Sequence, residues 1–175
     1  MAREPDDSAA RTFHAAALIG LEQYTAARME LTATVEAQRD ENPQGRAMLY
    51  NALAVALLLE NALTPEKQSQ LERAECLSRE AQELYPCVLE YRSTRALTLI
   101  ATGSPEMALT LLEYCHYDSG TERQRGHREV ARGFALYRLG QLTAANHSIQ
   151  TAIKLEPRSV QMFRALGIPY TEASL

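Results

Sequence analysis

The sequence predicts an all-α fold made of stacked helix pairs, and three observations carry that reading. Small residues recur on a fixed skeleton: Gly133, Gly140, Ala145, Ala152 and Pro157 stand 7, 5, 7 and 5 residues apart, and Ala96, Gly103, Ala108, Cys115 and Gly120 repeat the same steps. Alanine and leucine supply most of the apolar content, while Trp is absent and only 3 Phe occur, a palette suited to closely packed helices rather than a β-sandwich. No strand-like alternation or hairpin dipeptide competes with the helical pattern.

Taken in order, the first unit covers about 8–40. Ala15, Leu18, Tyr24, Ala27 and Leu31 fit its two helices, with the turn glycine displaced to Gly20 and no closing proline. Asn42-Pro43-Gln44-Gly45 reads as a turn into the second unit, 47–86. There Leu53, Ala54 and Leu57 fit a first helix, Ala74 and Ala81 a second, and Pro86 stops it. About eight extra residues around Asn61–Gln70 either lengthen the second helix or form a protruding loop.

The third unit, 89–120, lies 34 residues on, counted from Ala74 to Ala108. The step from Ala108 to Ala145 is 37, so a short insertion is expected in Ser119–Gly126 before the fourth unit, 126–157. Thr64-Pro65-Glu66 and Ser104-Pro105-Glu106 each set a capping hydroxyl before a first-turn proline and an acid, which is a strong helix start. Gly103 and Gly140 are placed to end the first helix of their units in the left-handed conformation. Ala96, Gly133, Ala74, Ala108 and Ala145 are placed where paired helices cross, because a small side chain lets two backbones approach. After Pro157, Ser159–Leu166 reads as a final helix covering the apolar face of the last unit, with a loose tail from Gly167.

In the fourth unit Gly133, Leu136, Gly140, Ala145, Ile149, Ala152 and Pro157 resemble the signature of the tetratricopeptide repeat, and Ala96, Leu99, Gly103, Ala108, Leu112 and Cys115 resemble it in the third. Gly120 stands where the family's closing proline would be. The resemblance spans roughly 150 residues and implies an α-α superhelix: a right-handed solenoid of about four helix pairs plus a C-terminal capping helix, forming a single domain.

Composition narrows the function. With 46% hydrophobic and 23% charged residues and a net charge of −4, the chain has a globular balance and no basic block, so nucleic acid is not an expected partner. The start of the chain lacks an apolar core after a positive segment, and the longest apolar run, Ala52–Leu59, is too short to span a bilayer; a cytoplasmic setting without membrane insertion is expected. Cys76, Cys87 and Cys115 form no C-x-x-C pair and are read as small buried apolar residues in a reducing compartment.

The chemistry-bearing residues do not assemble into a catalytic motif. His14, His116, His127 and His147 fall in different units, and adjacent Cys115 and His116 would point about 100° apart on a helix. No phosphate-binding glycine loop and no nucleophile elbow occurs, and Asn146-His147-Ser148 lies inside a predicted helix. The expectation is a non-enzyme without metal or cofactor. Arg125, Arg128 and Arg132 share one helical face, which suits either an acidic peptide or a solvated surface paired with Glu122 and Glu129.

The resemblance implies that the first helix of each pair lines a concave groove. Carried over to this chain, the groove comprises Met48, Asn51, Val55, Leu58, Leu97, Ile100, Val130, Phe134, Tyr137 and Arg138, with Glu90, Ser93 and His127 beside them. Some members clamp a C-terminal carboxylate with Lys, Asn and Arg; here only Asn51 is of the matching type, and the remainder is apolar. The expected function is therefore binding of a peptide or amphipathic helix from another protein in an apolar groove. The alternatives are self-association into a homodimer, and the regulatory repeat domain of a larger bacterial membrane-associated protein. Such a strip can also be covered internally, by the N-terminal segment or the stretch near Asn61–Gln70.

Overall fold

The computed structural model describes residues 8–37, 42–63, 68–113 and 120–168. Among these residues all regular structure is helical: α1 (Ser8–Gly20), α2 (Tyr24–Ala37), α3 (Pro43–Leu63), α4 (Gln68–Leu84), α5 (Leu89–Ala101), α6 (Pro105–Glu113), α7 (Glu122–Arg138), α8 (Leu142–Leu155) and α9 (Ser159–Ala165). Cys115, His116 and Thr64-Pro65-Glu66 lie outside the described residues, as do most of the chain's first residues and all of its tail after Ile168.

Two helices begin earlier than the sequence suggests, each because of a cap. The Oδ1 of Asn42 accepts a hydrogen bond from the Gly45 N–H at 2.8 Å, and Pro43 takes the first helical position, where it has no intrahelical N–H to lose. The expected turn at Asn42–Gly45 is thus the N-terminus of α3. Before α7, Thr121 Oγ1 accepts from the Gln124 N–H at 3.3 Å and Gln124 Oε1 accepts from the Thr121 N–H at 3.0 Å, a reciprocal capping box. It draws Glu122–Arg125 into α7 and leaves Gly126 inside the helix. Of the extra residues around Asn61–Gln70, the first three end α3, which runs 21 residues, and the last three begin α4, which runs 17 residues, while 64–67 lie outside the described residues.

The helix ends repeat one hydrogen-bond pattern. After α5, the Gly103 N–H donates to the Ile100 carbonyl (3.1 Å) and the Ser104 N–H to the Leu99 carbonyl (2.8 Å). After α7, Gly140 and Gln141 do the same to Tyr137 and Leu136 at 3.0 and 2.9 Å. The reversal places Gly103 at φ +93° and Gly140 at φ +73°, left-handed values that suit glycine. After α1 the same pair of bonds comes from Glu22 and Gln23, at 3.0 and 2.9 Å, and the left-handed residue is Glu22 at φ 61°. The repeat is kept there although its glycine stands two residues too early.

Each first helix packs on the next, giving the pairs α1–α2, α3–α4, α5–α6 and α7–α8. The first helices also pack on one another in sequence, α1 on α3, α3 on α5 and α5 on α7. Ala74, Ala81, Ala96, Ala108, Ala145 and Ala152 are all buried at these crossings. The α7–α8 approach is close enough that a Cβ on Gly133 would meet Ile149 Cγ1 at 3.1 Å, and one on Gly126 would meet Glu156 Cβ at 2.9 Å.

Among the described residues the apolar interior divides into an N-terminal cluster from α1 to α4, around Leu31, Leu49, Leu53 and Leu57, a C-terminal one around Leu97, Ile100, Val130 and Phe134, and a small third one of Ala47, Ala81 and Tyr91. By length and composition alone α3 is long and apolar enough to cross a membrane, but 61% of that stretch is buried inside the protein. It packs against α1, α2, α4, α5 and α9, which accounts for its apolar character. Buried polar bonds tie successive pairs together. Glu60 of α3 accepts from Thr25 Oγ1 at 3.0 Å and Arg28 Nε at 2.5 Å, both on α2, and Ser78 of α4 shares a 2.8 Å bond with Thr98 of α5.

Two substitutions test this packing by urea denaturation. Glu22→Gly should raise stability by about 1 kcal/mol, by relieving the left-handed cost of a residue with a Cβ. Gly133→Leu should lower it by about 1–3 kcal/mol, since the extra volume must displace Ile149 or push α8 away. An unchanged midpoint for Gly133→Leu is incompatible with the close α7–α8 crossing.

Candidate interaction groove

The residues expected to line a groove fall on α3, α5 and α7, which follow one another in the row of first helices. Their spacing of three and four residues places Asn51, Val55 and Leu58 on one stripe of α3, and Val130, Phe134 and Tyr137 on one stripe of α7. Leu97 and Ile100 are the corresponding pair on α5. Arg138 is exposed, and its guanidinium carbon lies 6.0 Å from the Phe134 ring centroid, within cation–π range.

The structure does not leave this strip open. Leu58, Leu97, Ile100, Val130 and Phe134 are buried, and they form one continuous cluster with Phe163 and Ile168 from the C-terminal segment. Asn51 is buried as well, at 6% exposure. Only Met48, Val55, Tyr137 and Arg138 keep partial or full access to solvent. The expectation of an exposed apolar strip therefore fails at six of its ten positions. At this face α9 packs on α3 and α7; residues 1–7 and 64–67, in the two segments also expected to cover the strip, lie outside the described residues.

The physical reason lies in the end of the chain. Pro157 stops α8 after Leu155, and the Arg158 N–H donates to Glu156 Oε1 at 3.2 Å in the turn that follows. Ser159, buried, starts α9 and donates from Oγ to the Ala152 carbonyl at 3.4 Å. The helix has 7 residues, packs on α7 and α8, and also reaches α3. Contact with α3 takes it beyond the end cap expected from the sequence. Phe163 is fully buried at 0% exposure, and Met162 and Leu166 pack partly buried against the same cluster.

Gly167, at φ 69°, then reverses the backbone, and the Ile168 N–H donates to the Phe163 carbonyl at 3.0 Å. This is the same closure used by α1, α5 and α7, and it brings an aliphatic side chain back beside the residue three from the helix end. The tail from Gly167, expected to be loose, thus begins with an anchored residue. The signal was in the sequence: Phe163, Leu166 and Ile168 are three large apolar side chains in a segment that has only a short helix to display them.

Polar groups border this region. The Asn51 Oδ1 is buried with no hydrogen-bond partner among the described residues. His127, mostly shielded near the start of α7, has its pKa lowered chiefly by burial, with Glu90 and Glu156 opposing the shift and Arg123 adding to it. Ser93 is buried and donates to the Leu89 carbonyl at 2.8 Å.

The arginine stripe of α7 is partly buried: Arg128 is buried, and Arg125 and Arg132 are half-buried. Arg128 and Glu129 are both buried and joined at 2.8 Å, while Arg132 lies 3.9 Å from the same carboxylate. Beside them is a cavity of about 30 Å³ lined by Leu109, Leu112, Glu113, Arg128 and Arg132. Of the cysteines described, Cys87 is exposed and Cys76 half-buried, so neither is the fully buried apolar residue expected. Among the described residues, no three His, Cys, Asp or Glu side chains converge as a metal site would require.

No family model and no curated protein matches the chain. The tetratricopeptide resemblance rests on the residue skeleton alone.

The position of His127 fixes a pH dependence. The folded chain holds its pKa below the ordinary value of 6.5, so protonation favours the unfolded state. Its contribution is complete above about pH 6.5 and is lost as the pH falls toward the folded value. Urea midpoints should drop between about pH 7.5 and about pH 5.5, and His127→Gln should flatten that drop. An equally steep drop in the variant assigns the acid sensitivity to other groups.

Proposed function

We propose that this chain is a tetratricopeptide-like solenoid that binds an amphipathic helix or peptide segment of another protein on the face formed by α3, α5 and α7, and that it has no catalytic role. The observation that carries the reading is α9: a short helix already lies on that face, with Phe163 at 0% exposure among side chains of the row. The face therefore has the shape and chemistry to hold a helix by its apolar side.

Two further features support it. The first helices pack on one another in a row, as a solenoid requires, while the second helices meet mainly their own partners and the next first helix. In addition, α9 packs on both α3 and α7, which flank α5, an arrangement compatible with a concave side to the row. Met48, Val55, Tyr137 and Arg138 keep solvent access at the margin of this face and are the positions from which an incoming segment would make its first contacts.

Selection from a displayed library of amphipathic helical peptides against the immobilised chain tests the proposal. Selected peptides should bind with an affinity that falls about 10-fold or more in Val55→Asp and Arg138→Glu, both of which should retain native urea midpoints. Peptides that bind the native chain and both variants equally well place the binding surface elsewhere.

A further inference from the structure

Resting on that reading, we propose that α9 is a displaceable occupant of the groove, and that the partner is a short helix of the same chemistry. The occupant's sequence gives the pattern. Met162, Phe163 and Leu166 form one apolar stripe at spacings of one, three and four residues, and Gly167 turns the chain so that Ile168 completes it. The class of partner is thus an amphipathic helix with an aromatic anchor, an aliphatic residue three positions later, and a glycine-ended turn followed by a β-branched residue.

The structure gives reasons why this segment can leave. A helix of 7 residues has too few turns to persist without its docking contacts, so undocking and unwinding are one event. Its attachment to α8 is the three-residue Glu156–Arg158 turn, and α8 ends at Leu155 with or without α9 because Pro157 cannot continue it. Its hold on the groove is concentrated in Phe163 and Ile168, whereas α5 and α7 are held along their length by two neighbouring helices each or more. Undocking would uncover the parts of α3 and α7 on which α9 packs, within the cluster that holds Leu58, Val130 and Phe134, a surface that favours replacement of α9 over remaining empty. In the native chain an incoming helix binds only the open fraction, so its apparent affinity is reduced by that fraction.

A labelled peptide spanning 157–168 supplies the probe, and the proteins are the full native chain and its Phe163→Asp/Ile168→Asp double variant. The double variant, with α9 undocked, should bind the peptide at least about 10-fold more tightly than the native chain does. A peptide carrying Phe163→Asp should bind neither. Equal binding by both proteins, or no binding by a double variant that keeps its helical signal and cooperative unfolding, overturns the inference.

Hydrogen exchange on the native chain provides a reading that needs no variant. Amides of 163–168 should exchange through local opening, faster than those of Val130–Leu136 in α7. Equal protection of the two segments makes α9 an inseparable part of the core and overturns the inference. A dimer by light scattering, in which α9 sits on a second copy, likewise overturns the occupancy in cis. Failure here is distinct from failure of the binding reading. Helices selected by display that bind native chain and double variant equally, without competition from the 157–168 peptide, reject α9 as gatekeeper while keeping the chain a binding module.

Discussion

The close crossing of paired helices is the constraint from which the rest of this structure follows. Where Gly133 faces Ile149 and the Ala145 carbonyl, the α7 and α8 backbones come near enough that a single added carbon would sit 3.1 Å from its neighbour. Buried alanines hold the equivalent positions in the other pairs. With the second helix held this close, each first helix has a remaining face to pack on the next first helix, and the row from α1 to α7 results. The turn closures at Glu22, Gly103 and Gly140 serve that arrangement, since each reverses the chain within about three residues so that the second helix returns along the first.

Polar contacts then fix which pair follows which. Apolar packing alone would tolerate slippage of one pair along the next, whereas a buried carboxylate tolerates none, because displacing it strands a charge away from water. Glu60 fills this role between α2 and α3, and the Ser78–Thr98 bond between α4 and α5. The buried Arg128–Glu129 pair is of another kind: adjacent on α7, the two residues neutralise each other beneath the surface and leave little charge to offer an anion.

The C-terminal apolar cluster is completed by the chain's own end: Phe163 and Ile168 are buried within it, and α9 packs on α3 as well as on α7 and α8. Val55 and Tyr137 are half-buried and Arg138 is exposed, with Tyr137 packed against the C-terminal cluster.

The sequence by itself determined the helical class, the pairing and most helix ends. Those features depend on local chemistry: small residues at a fixed period, glycines at left-handed positions, prolines at stops. Asn42 and Thr121 were legible too, as caps, yet a proline and a glycine nearby made them read as a turn and an insertion. The groove residues were placed on the correct helices, but their exposure was not, because exposure at Leu58, Leu97 and Phe134 depends on what lies across from them. A run of seven residues after Pro157 carries no local signal of where it will dock. Only the tertiary structure decided that, by bringing α3 and α7 within reach of one short helix.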